Sequence, residues 1–73
     1  MAVKINVMDI YSFENLNLKV GELIIIEKQG SYQFTGSYLG EYNNSNLTFK
    51  FSNYSNGKIE VIHLEKLQQL RRL

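Results

Sequence analysis

Between Ser31 and Leu64, three runs of alternating apolar and polar residues follow one another with short polar breaks, and in a chain of 73 residues this leaves little room for anything but a small β-sheet. Tyr32, Phe34 and Tyr38 alternate with Gln33, Thr35 and Ser37. Leu47, Phe49 and Phe51 alternate with Thr48, Lys50 and Ser52, and Ile59 and Val61 with Lys58 and Glu60. Period-two alternation gives a strand one buried face and one wet face. Asn56-Gly57 stands just before the third run, and both residues tolerate positive φ, which favours a tight hairpin turn.

The rest of the chain extends this pattern. Val3, Ile5 and Val7 alternate with Lys4 and Asn6, so Ala2 to Val7 reads as a first strand. From Met8 to Val20, Ile10, Phe13 and Leu16 recur at a spacing of three behind Asp9, a possible N-cap. A short helix fits this segment, and so does an irregular loop that packs its aromatics over the end of a barrel. After Gly21, Glu22 to Lys28 carries Leu23-Ile24-Ile25-Ile26, which predicts a strand buried on both faces or strongly bent. Gln29-Gly30 is a turn. Ser31 to Tyr42 is a long strand whose Gly36 and Gly40 mark bends or bulges. Leu64, Leu67, Leu70 and Leu73 recur at a spacing of three, with Glu65 early and Arg71-Arg72 late, charges that suit a helix dipole. The expectation is one all-β domain over residues 1–73: a small five-stranded antiparallel SH3-like barrel with a short C-terminal helix.

Composition narrows the function. A single domain of this size has room for one core and little space for a deep substrate pocket, which points to a non-enzymatic binding module or a self-assembling subunit. The absence of cysteine removes disulfides and thiolate zinc. Eight basic against seven acidic side chains give a net charge of +1, far from the basic excess with which proteins grip duplex DNA by its phosphates. The longest apolar run has four residues, no secretory pattern opens the chain, and the expected location is the cytoplasm, with no membrane partner.

The central segment resembles the Sm-like (LSm and Hfq) barrel. Gly36, Tyr38, Gly40, Asn46 and Leu47 fall at the offsets of that family's bent strand and the turn after it, and Ile62-His63-Leu64-Glu65-Lys66-Leu67 is loosely similar to its second motif. The match covers about half the chain. It implies a ring of subunits that binds single-stranded RNA at its pore, with Asn46 contacting a base, Tyr42 stacking on one and His63 opposite them. The chain departs from the family at Tyr42, which replaces an aspartate, and at Leu64, which replaces a glycine. It departs also where a strand is read before Gly21 in place of the family's helix, and a helix after Leu64 in place of its last strand.

No chemical constellation stands out. His63 is the only histidine, the carboxylates are scattered, and no glycine-rich phosphate loop is present. No cofactor or metal is expected. The tyrosines of the long strand fit either a core or an aromatic recognition surface, and Tyr42 and Tyr54 are the candidates for the latter because they flank turns. The leucine ridge, with Leu67, Leu70 and Leu73, is a candidate oligomer interface or a plug for the barrel end. Two readings therefore compete: binding to another protein or to copies of itself, and binding to single-stranded nucleic acid through Tyr42, Asn46, Tyr54 and His63. The Asn-, Ser-, Tyr- and Lys-rich composition is similar to that of small phage and mobile-element accessory proteins, for which the partner would be a host factor.

Overall fold

The computed structural model describes the backbone from Ile10 to Leu73 and the side chains from Phe13 onward. The expected strand at Ala2 to Val7 and the Asp9 cap lie outside the described residues. A short helix, α1 (Ile10–Leu16), precedes five antiparallel strands: β1 (Leu23–Lys28), β2 (Gln33–Asn43), β3 (Thr48–Asn53), β4 (Lys58–His63) and β5 (Leu67–Arg72). They form one sheet in the order β4-β3-β2-β1-β5.

The sheet curls because its inner face supplies nearly the whole core. Ile24 and Ile26, Tyr38, Phe49 and Phe51, Ile62, and Leu67 and Leu70 come from the five strands in turn, joined by Phe13 of α1 and by Leu64. Lys28 of β1 reaches Glu60 of β4 at 2.8 Å, although β2 and β3 lie between them. In a flat sheet those two backbones would stand about 14 Å apart. Bending is concentrated in β2, whose pairing with β3 shifts register on both sides of Gly40. Gly40 and Glu41 there take positive φ, 83° and 54°. The two shifts together amount to two residues, so the inward row is kept, and Tyr38 and Tyr42 both meet the Phe13 ring.

Four expectations are corrected. No helix follows Leu64: a single 3-10 turn spans Leu64–Lys66, and β5 then pairs with β1. The three-residue leucine spacing mimics a helix because β5 carries a bulge. Its register slips by one between Glu27 and Lys28, leaving Gln68 as an extra residue, and both Leu67 and Leu70 then point inward. In β4 the apolar pair Ile59 and Val61 faces outward and Glu60 faces inward, because the hairpin register sets Phe51 opposite Glu60 and Phe49 opposite Ile62. The turn before β4 has four residues, Tyr54 to Gly57, and only Gly57 takes positive φ. Of the two readings of the β1 aliphatic run, burial on both faces is the one overturned: Ile24 and Ile26 are inside, while Leu23 is exposed and Ile25 half-buried.

Candidate functional site

The β2–β3 turn and the end of β4 form one rim. Asn43 builds the turn by accepting, at Oδ1, the backbone N–H groups of Ser45 (2.8 Å) and Asn46 (3.1 Å). Leu47 closes it with φ 57°. The N–H of Leu64 donates to the Leu47 carbonyl at 2.8 Å, and His63 pairs with Thr48, so Asn46 and His63 flank a bonded contact and are both exposed. Tyr42 enters this end from β2. Its ring packs on Phe13 with centroids 4.9 Å apart, and its hydroxyl donates to the Glu14 carboxylate at 3.4 Å. Burial, and then the Glu14 charge, push the Tyr42 phenol above its ordinary range. Burial alone does the same for Tyr38.

Tyr54 does not join them. It follows Asn53 at the other end of β3, five residue steps or about 17 Å from Thr48, and stands exposed on the hairpin. The four tyrosines with described side chains are thus divided between a core ring, Tyr38, a half-buried rim ring, Tyr42, and the exposed Tyr32 and Tyr54. Of the leucine ridge, Leu67 and Leu70 belong to the core, and Leu73 is exposed.

A second feature is the pair of sheet edges. Among the described residues no ladder joins β4 to β5, so each leaves one row of backbone donors and acceptors unpaired. Beside the β4 edge, Ile59 and Val61 are 66% and 54% exposed. Between the edges lies a pocket of about 120 Å³ lined by Lys28, Val61, His63 and Lys66 among others.

The sequence reading missed a carboxylate hub. Glu60 accepts from Lys28 Nζ at one oxygen (2.8 Å), and from Asn53 Nδ2 (2.8 Å) and Asn56 Nδ2 (3.2 Å) at the other. The Lys28 hydrogen bond and then that from Asn53 hold its pKa below the ordinary value of 4.5, against the opposing effect of burial. Asn53, itself fully buried, accepts the Ser55 N–H at 2.8 Å and so orders the hairpin. The signal was available in the parity of the hairpin, since Glu60 shares a face with Ile62. Among the described residues no group of three or more metal-ligating side chains is assembled, and no helix is long and apolar enough to cross a membrane.

Compared with protein-family models, with curated proteins and with solved structures, the chain matches none.

Proposed function

We propose that this chain is a small non-enzymatic binding module whose first partner is a copy of itself. The observation that carries the reading is the pair of sheet edges: among the described residues β4 and β5 are the two edges, and Ile59 and Val61 of β4 point outward and are exposed. Edge strands in solitary proteins are usually blunted by lysine, proline or bulges. Here β5 carries its bulge and Arg71 and Arg72, while β4 pairs with β3 without a bulge and bears the exposed Ile59 and Val61 between Lys58 and His63. Unlike edges favour a head-to-tail contact, which closes into a ring when the rotation permits. A domain this small gains stability from such association.

A second reading, single-stranded RNA binding by an Sm-like ring, is favoured by the element order. A strand, β5, stands after Leu64 in place of the expected helix, which removes one of the departures from that family's pattern; the strand read at Ala2 to Val7 lies outside the described residues. The Leu64 to Leu47 hydrogen bond also brings Asn46 and His63 to one rim, as the resemblance implies. Tyr42 and Leu64 still differ from the family's residues.

Light scattering coupled to size exclusion, with absorbance at 260 and 280 nm on the same peak, tests both readings. A discrete oligomer free of nucleic acid supports self-assembly, and an oligomer that co-elutes with nucleic acid supports the RNA reading. A monomer at all concentrations overturns both and turns the search to a different protein partner, such as a host factor.

A further inference from the structure

We propose that the cleft between α1 and the β2–β3 turn is a binding site for an alkylammonium group on an apolar stem. The cleft holds about 340 Å³, with Phe13, Leu18 and Tyr42 among its apolar walls and Glu14, Asn17 and Asn44 as its polar groups. That volume lies at the small end of ligand sites and accommodates one short aliphatic chain. Its chemistry selects by charge. Among the described residues of the lining, Glu14 is the only ionised side chain, and none is a lysine, arginine or histidine that would meet a phosphate or carboxylate. Glu22, Glu41 and Glu60 each hold a cation, whereas Glu14 meets only the Tyr42 hydroxyl, at 3.4 Å, among the described residues. An ammonium group supplies three donors. The Glu14 carboxylate and the carboxamide oxygens of Asn17 and Asn44 supply acceptors, the half-buried Tyr42 ring adds attraction for a cation, and Phe13 and Leu18 give an apolar floor for the stem. Two sources carry this chemistry, a free diamine and the lysine side chain of a peptide. The site does not depend on how the sheet edges pair.

The test is a ¹H–¹⁵N NMR titration with 1,5-diaminopentane, with Nα-acetyl-lysine methylamide, and with hexanoate as an anion of similar length. Both amines are expected to shift the amides of Glu14, Asn17 and Asn44 with millimolar affinity, and hexanoate is not. Tighter binding of the lysine derivative identifies a peptide as the source, and tighter binding of the diamine identifies a free amine. Glu14→Gln, a change at an exposed position that leaves the fold intact, is expected to weaken amine binding about tenfold. Equal shifts with hexanoate, no shifts with either amine up to about 20 mM, or undiminished amine binding by Glu14→Gln would each overturn the proposal.

Discussion

Gly36 lies so close to Ser52 across the β2–β3 ladder that a Cβ built on it would stand 1.9 Å from the Ser52 carbonyl oxygen, with the Phe51 ring at 2.7 Å. The position is closed by packing rather than by backbone conformation, and neither neighbour can withdraw, one being backbone and the other a core ring. Gly36→Ala is expected to destabilise the fold by about 3 kcal/mol or more, the upper range for forced overpacking. Gly30 is the control. It has open space around it and φ 73°, so Gly30→Ala is expected to cost about 1 kcal/mol of backbone strain. Urea denaturation of the two variants checks the contrast, and equal losses would show that the β2–β3 contact is not tight.

Glu60 makes stability depend on acid. Its folded pKa lies below the ordinary 4.5, so its contribution is complete above that value and is lost as the pH falls from there through the lower folded value. The expected outcome is a urea midpoint that drops between about pH 6 and about pH 3, with a shallower drop in Glu60→Gln. Glu22, half-buried and lowered by its hydrogen bond from Arg72, accounts for part of the remaining slope. Parallel pH profiles for wild type and Glu60→Gln would remove Glu60 from this role.

How far the sequence could be read depends on where its rules stay local. Alternation at Phe49 and Phe51 and a glycine, Gly40, at the bend of β2 follow from local rules, and the structure has both; around Phe13 the spacing fits a short helix or an irregular loop, and the structure has the helix. Two misreadings come from register, which is set by partners far away in sequence. The Gln68 bulge turns a strand into a helical spacing of leucines, and it exists only because β5 pairs with β1. The face of β4 is fixed by Phe51 opposite Glu60, and a half-buried, inward-facing glutamate is acceptable there only because Lys28, 32 residues away, and Asn53 meet it. Arg72 shows the same limit. It suits the end of a helix, as its charge suggests, but the helix is α1: its guanidinium donates to the Leu16 carbonyl and pairs with Glu22. At the rim, the packing of Tyr42 on Phe13 was not legible, because it needs α1 in place.

The last leucines divide sharply. Leu70 is 7% exposed and Leu73 68%, so a charge at the first is buried and at the second solvated. Leu70→Glu is expected to cost more than about 3 kcal/mol and to yield an unfolded or aggregated product, and Leu73→Glu to stay within about 0.5 kcal/mol of wild type. Circular dichroism melts distinguish them, and a folded Leu70→Glu variant would place that side chain outside the core.

Tyr42 is a packing residue as much as a rim residue. Removing its ring exposes Phe13, and Tyr42→Ala is expected to destabilise the fold by about 1–2 kcal/mol. Tyr42→Phe, which loses only a long hydrogen bond to an exposed carboxylate, is expected to stay within about 0.5 kcal/mol. If the two variants melt together, the ring contact with Phe13 carries no stability.

The open β4 edge gives the most direct test of self-assembly. Val61 points away from the core opposite Lys50, and Ile59 does so opposite Ser52, so lysine at either position removes no core contact. It does place a charge beside the row of unpaired backbone groups, the device by which natural sheets discourage strand addition. Val61→Lys is therefore expected to keep an unfolding free energy, from urea denaturation, within about 0.5 kcal/mol of the wild-type subunit's intrinsic stability while its mass by light scattering falls to that of a monomer. Leu73→Glu, beyond the β5 edge, serves as the companion variant, because a head-to-tail contact uses both edges and a symmetric β4-to-β4 contact uses one. Loss of assembly in both variants supports unlike edges meeting. Loss in Val61→Lys alone points to β4 pairing with itself, and an unchanged mass in Val61→Lys removes β4 from the interface.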